Sequence, residues 1–137
     1  MVPNTTELRA KVLLIDDELA HRMLARRVLA KIMPANPIVE ADCKERAVEL
    51  LADPGLTLRI VILDLNLGKS SGLELLQLIR SSKSHQIVPV IVHSTSALDA
   101  DVHSSYRLGA NCFIIKSPEP ARYQADLRAA VGFFITR

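Results

Sequence analysis

Val12-Leu13-Leu14-Ile15-Asp16-Asp17-Glu18 is a short, unbroken apolar block that ends on three carboxylates. A strand with one wet face alternates apolar with polar residues. Four consecutive large apolar residues mark instead a strand covered on both faces, as in a parallel sheet between two layers of helices. The pattern recurs downstream. Ile60-Val61-Ile62-Leu63 runs into Asp64, Val88-Pro89-Val90-Ile91-Val92 into His93-Ser94-Thr95, and Cys112-Phe113-Ile114-Ile115 into Lys116. Ile38-Val39 is brief and polar-flanked, and reads as an edge strand.

Amphipathic stretches separate these blocks. Leu24, Ala25, Val28, Leu29 and Ile32 form one helical stripe. Ala47, Leu50 and Leu51 form a second, opened by Asp42 with Glu45 three residues on, as in a capping box, and stopped by Asp53-Pro54-Gly55. Leu75, Leu76 and Ile79 make a third; Leu98, Val102 and Tyr106 make a fourth, ended by Gly109. The fifth is expected to start at Ser117-Pro118, a good N-cap and first-turn pair, and carries Tyr123, Leu127, Val131 and Phe134. Five strand–helix alternations with right-handed crossovers predict a three-layer, doubly wound α/β domain with a five-stranded parallel sheet.

Composition narrows the function. The 137 residues suit one domain, and 49% hydrophobic residues exclude disorder as the main state. Lys and Arg number 17 against 15 Asp and Glu, a net charge of +2, which argues against a dedicated nucleic-acid binder. The longest uncharged stretch, Gln86 to Leu98, is broken by Pro89, His93, Ser94 and Ser96 and is too short for a bilayer span. Met1 to Lys11 lacks the apolar core of a secretory leader, so a cytoplasmic location is expected. Cys43 and Cys112, without CxxC spacing, then read as buried, inert free thiols. The expected organisation is a short extension over 1–10 and one domain over 11–137, with no output domain.

In such sheets ligands bind beyond the carboxyl ends of the strands. Asp16, Asp17, Asp64, Ser94 and Lys116 all end apolar blocks, so three carboxylates, a hydroxyl and an ammonium are expected at one sheet edge. Clustered carboxylates repel and call for a cation, and an all-oxygen set suits Mg²⁺. One carboxylate is then available as a nucleophile toward phosphorus, with Mg²⁺, Lys116 and the Ser94 hydroxyl to neutralise and orient a phosphoryl group. Gly68 and Gly72 do not form a GxGxxG pattern, so a dinucleotide site is not supported. His21, His85 and His103 read as solvated, and His93 as packing beside the site.

Leu13 to Glu18, Val61-Ile62-Leu63-Asp64-Leu65-Asn66-Leu67, Pro89 to Ser94, and Lys116, in this order, resemble the receiver domain of bacterial response regulators over residues 10 to 134. The resemblance implies a flavodoxin-like (βα)5 fold with strand order 2-1-3-4-5. It implies Asp64 as phosphoacceptor, a Mg²⁺ site of Asp16, Asp17, Asp64 and the Asn66 backbone carbonyl, and Lys116 as the phosphate-binding lysine. Ser94 and Phe113 become the switch pair. A histidine kinase donates the phosphoryl group, and an unknown downstream protein reads the result. Ser94-Thr95-Ser96 and Ala110 to Ser117 are similar to small stand-alone regulators paired with phytochromes, which implies a phytochrome-type kinase. That likeness, with Phe133 and Ile135 lying off the fifth helical stripe, implies a homodimer through the fourth and fifth helices and the fifth strand.

Two positions depart from the family. Ser117 follows the lysine where Pro, preceded by a cis bond, is usual; a cis bond before Ser costs several kcal/mol more, which leaves this loop's geometry open. Gly68 stands where Pro is frequent, giving the loop after Asp64 more freedom. Two alternatives remain: a receiver-like interaction module acting without phosphate, and an aspartate-nucleophile phosphatase. The second wants an acid two residues after its nucleophile, where this chain has Asn66.

Overall fold

The computed structural model describes residues 10–96 and 98–135. Strands β1 (Lys11–Ile15), β2 (Ile38–Ala41), β3 (Leu58–Asp64), β6 (Val90–Ser94) and β7 (Cys112–Ile115) form one parallel sheet in the order β2-β1-β3-β6-β7. This is the 2-1-3-4-5 order of a doubly wound fold, with β2 on the edge as expected. Helices α1 (Leu19–Ile32), α2 (Lys44–Leu51), α3 (Gly72–Ser81), α4 (Asp99–Arg107) and α5 (Pro120–Ile135) cover it. The segments 1–9, 136–137 and residue 97 lie outside the described residues, and with them most of the expected N-terminal extension.

The unbroken apolar blocks feed two separate cores, because successive strand residues point to opposite faces. Leu13, Ile15, Val61, Leu63, Val90 and Val92 pack toward α2 and α3, against Ala47, Leu51, Leu75, Leu76 and Ile79. Val12, Leu14, Ile60, Ile62 and Ile91 pack toward α1 and α5, against Ala25, Val28, Leu29, Tyr123, Leu127 and Val131. Fully burying each of the Val, Leu and Ile side chains among them contributes about 1.5–3 kcal/mol. No helix among the described residues is long and apolar enough to cross a membrane.

Several local expectations are corrected. A two-residue hairpin, β4 (Asn66–Leu67) with β5 (Ser70–Ser71), follows Asp64. Gly68 sits at its first turn position with φ +62°, the conformation that a mirror-image type II′ turn reserves for glycine. Helix α2 starts after Cys43, which is its N-cap without a side-chain bond, so Asp42 is not the cap. Helix α5 starts at Pro120 rather than at Ser117-Pro118; the Ser117 hydroxyl instead accepts from Glu119 N–H within the preceding loop. The fourth stripe does not face the core: Leu98 and Tyr106 are exposed and Val102 is half-buried, whereas Ser105 is the buried residue of α4. Cys43 and Cys112 are free but only half-buried. His85 is buried and His21 half-buried, while His103 is exposed as expected.

At the amino-terminal edge of the sheet, the Arg80 guanidinium ties three segments together. It donates to the Gly109 carbonyl through Nε (3.0 Å) and Nη2 (2.8 Å), to the Val88 carbonyl (2.7 Å) and to Asn111 Oδ1 (2.8 Å). Gly109, at φ +108°, therefore does more than end α4: a Cβ there would lie 2.9 Å from Arg80 Nε.

Candidate functional site

Strand register places the expected residues on one rim. Ile15 pairs with Leu63, Asp64 with His93, and Ser94 with Ile115, so Asp16, Asp64, Ser94 and Lys116 emerge side by side. Backbone bonds extend the ladder one step: Asp16 N–H donates to the Ala41 carbonyl (3.1 Å) and Lys116 N–H to the Ser94 carbonyl (2.8 Å). The peptide bonds among the described residues, Lys116–Ser117 included, are trans.

Lys116, Asp64 and Asp16 meet at the centre. Lys116 Nζ donates to Asp64 Oδ2 at 2.7 Å and stands 2.8 Å from Asp16 Oδ2, with all three residues buried. Asp64 Oδ1 accepts from Asn66 N–H (3.0 Å) and Asp16 Oδ1 from Glu18 N–H (2.8 Å). Burial pushes the Asp64 carboxyl up to about 6; Lys116 and the Asn66 amide pull against that rise, and the Asp16 charge adds to it. Burial alone would lower the Lys116 ammonium, but its two carboxylate partners outweigh burial and hold it above its ordinary value.

The other expected residues lie around this core. Ser94 is buried, and its hydroxyl accepts from Ser96 N–H (3.1 Å) and faces Asn66 Nδ2 (3.4 Å). Asp17 is exposed and swings to the hairpin, where its Oδ2 accepts from Gly68 N–H (3.0 Å). Phe113 is half-buried against the α2/α3-side core, and its N–H donates to the Tyr106 hydroxyl (3.0 Å).

His93 was missed as a site residue. It is fully buried, with Nε2 3.3 Å from Asp16 Oδ2 and Nδ1 2.7 Å from the Tyr123 hydroxyl. The signal available in the sequence is a histidine inside an otherwise apolar strand, where burial without a partner is costly. Burial, with the positive charges of Lys116 and His21, pushes its pKa well below the ordinary histidine value.

The donor set fits a divalent cation. Asp16 Oδ2 is buried and, despite its charged neighbours, has no well-aligned hydrogen bond. Asp16, Asp64 and His93 bring ligand-type atoms within 4.8 Å of one another. The oxygens of Asp16, Asp17 and Asp64 are of the kind that Mg²⁺ or Mn²⁺ prefers.

A doubly wound sheet with a buried Asp–Lys–Asp cluster at its carboxyl edge defines a class of signalling domain. The chain belongs to the response regulator receiver domain family, whose model matches residues 12–128. Receiver domains are phosphoacceptors of two-component signalling that bind a divalent metal. The chain is similar to a CheY homolog of Campylobacter jejuni, 26% identical over 122 residues that span 89% of this chain and 92% of the relative. Its structure resembles the phosphorylated cyanobacterial phytochrome response regulator RcpA (28% identity, TM-score 0.85, covering 93% of this chain and 95% of RcpA). It also resembles the Mn²⁺-bound form of response regulator Rcp1 (27% identity, TM-score 0.81, covering 91% and 94%).

Proposed function

We propose that this chain is a phosphorylation-dependent switch in which Asp64 takes a phosphoryl group from a histidine kinase. An Asp64 carboxylate oxygen attacks phosphorus, the P–N bond to the donor imidazole breaks, and the donor leaves as free histidine while an acyl phosphate forms. Acetyl phosphate would serve in the same way, losing acetate by P–O cleavage. The observation that carries this reading is the buried Lys116 ammonium shared between Asp64 and Asp16. Such an ammonium can move onto an incoming phosphoryl oxygen without leaving its partners' charge uncompensated.

Asp16, Asp17, Asp64 and the Asn66 carbonyl would hold Mg²⁺, which supplies charge neutralisation for the approaching phosphoryl group. Ser94, buried one strand away, would then donate its hydroxyl to a phosphoryl oxygen, and Phe113 would follow Ser94 as the switch aromatic. Similarity to RcpA and Rcp1 supports a phytochrome-type kinase as donor and action in the cytoplasm. Exposed Leu98, Tyr106, Ile115 and Phe133 on α4, β7 and α5 support a homodimer on that face, where a downstream protein would sense the phosphorylated state. Asn66 in place of a second acid weighs against a phosphatase.

Intact mass spectrometry after acetyl phosphate and Mg²⁺ treatment tests the proposal. One phosphoryl group is expected on the wild type and none on Asp64→Asn. Persistent phosphorylation of Asp64→Asn would refute the assignment.

A further inference from the structure

His93 and Tyr123, which the phosphotransfer reading does not use, form a buried row with Asp16. His93 and Tyr123 are both fully buried, although they come from β6 and α5. The Tyr123 hydroxyl and His93 Nδ1 are 2.7 Å apart, while Nε2 faces Asp16 Oδ2 at 3.3 Å. Neither Nε2 nor Asp16 Oδ2 has a well-aligned hydrogen bond, so the two are each other's nearest unspent polar atoms at 3.3 Å. The rings of His93 and His21 lie 5.7 and 6.3 Å from the Tyr123 ring, centre to centre, so Tyr123 adjoins two imidazoles.

Donor and acceptor capacity decides how such a row is wired. A neutral imidazole has one N–H and one bare nitrogen. An ionised Asp16 can only accept, so the nitrogen facing it carries the hydrogen. Nδ1 is then bare and accepts from the Tyr123 hydroxyl, the one partner of the three that can still donate. The wiring runs one way: Tyr123 O–H to Nδ1, then Nε2–H toward Asp16 Oδ2.

We propose that His93 is a positioning residue for Asp16, and that the Tyr123 hydroxyl anchors its ring, linking the cation site to α5. This rests on the reading of Asp16 as part of that site. An N–H on the nitrogen 3.3 Å from Oδ2 limits how Asp16 can turn within its cluster, as a ligand's outer partners do in metal centres. The row also connects α5 to Asp16 through His93, separate from Ser94 and Phe113 on the other side of the sheet.

The test uses the full chain with ¹⁵N-labelled histidine. Long-range ¹H–¹⁵N spectra are expected to show the His93 ring protonated at Nε2 and bare at Nδ1. Tyr123→Phe keeps the ring and removes the hydroxyl; it should leave Nδ1 bare but unpartnered and weaken Mn²⁺ binding, read by electron paramagnetic resonance, severalfold. His93→Leu should weaken it about tenfold, the low end for an outer partner of a metal ligand, and His93→Gln, which still offers an N–H, should restore part of the loss. An Nδ1–H ring in the wild type, or a folded Tyr123→Phe variant with unchanged Mn²⁺ affinity, would overturn the inference. Failure of the wild type itself to bind Mn²⁺ would count instead against the proposed function.

Discussion

A Cβ built on Gly72 would stand 2.2 Å from the carbonyl oxygen of Asp64. The first residue of α3 thus lies against the backbone of Asp64, the proposed phosphoacceptor, and Gly72 N–H donates to the Leu65 carbonyl at 2.7 Å. Only glycine permits that approach, because the obstructing atom is backbone and cannot rotate away. Gly72→Ala is expected to lower stability by about 1–3 kcal/mol and to slow phosphorylation of Asp64 by acetyl phosphate. Chemical denaturation and phosphorylation time courses would check it; wild-type values for both would mean that the contact is dispensable.

Asp64 also predicts a pH dependence. Its carboxyl sits at about 6 in the fold against an ordinary value of 3.8, so the folded state holds this proton more tightly than the unfolded chain. The associated stability is present below pH 3.8 and is lost as pH rises toward about 6. Asp64→Asn has no such proton. With EDTA present, its Tm relative to wild type should climb across this interval and level off above it. A flat difference would remove the titration from Asp64.

Lys116→Ala removes the ammonium that competes with a cation for Asp16 and Asp64. The Asp64 carboxyl should titrate above its wild-type value in EDTA, since its strongest opposing partner is gone. Mg²⁺ affinity, measured by calorimetry, should hold or increase. Because a buried partner of two carboxylates is lost, metal-free stability should fall by about 3–5 kcal/mol, and Mg²⁺ should restore part of it. Weaker Mg²⁺ binding would contradict the role given to Lys116.

Phe133 is 52% exposed near the end of α5, and Ile115 and Tyr106 are about as exposed on the neighbouring β7 and α4. Ile135, expected to share this surface, instead packs partly against the α1/α5-side core. Phe133→Asp alone should therefore suffice to dissociate the proposed dimer. Light scattering at tens of micromolar would show it; a monomeric wild type, with or without a phosphoryl mimic, would end the dimer proposal.

Arg80→Met would strip donors from the Gly109 and Val88 carbonyls and from Asn111. A loss of about 2–4 kcal/mol is expected, with Mg²⁺ binding unchanged because the site lies at the other end of the sheet. Parallel melting and calorimetry would separate these effects.

The fold was readable because its decisive signals are local. An apolar block such as Leu13 to Ile15 and the polar residue that ends it lie next to one another in the chain, and parallel register carries that adjacency into space. Asp16, Asp64, Ser94 and Lys116 were legible for this reason. The His93–Tyr123 contact was not, since it joins positions 30 residues apart whose separate patterns suggest only packing. The α4 stripe misled for a related reason: Leu98 and Tyr106 have helical spacing, but periodicity does not say whether a face meets the sheet or water. The start of α5 at Pro120 and the hairpin at Gly68 turn on one or two residues, below the reach of pattern.

The Arg80 clamp makes the domain mechanically lopsided. One end of the sheet is stapled, because the guanidinium grips Gly109, at the tail of α4, together with the start of β6. Among the described residues the head of α4 has no comparable fastening: Leu98 is 67% exposed, and only Ser105 in the helix is fully buried. A pull that begins at Ser94 thus meets a lever with its fulcrum at Gly109. On the proposed role of Ser94, helix α4 would swing about that point rather than slide, with the widest sweep at Leu98, 67% exposed at its head.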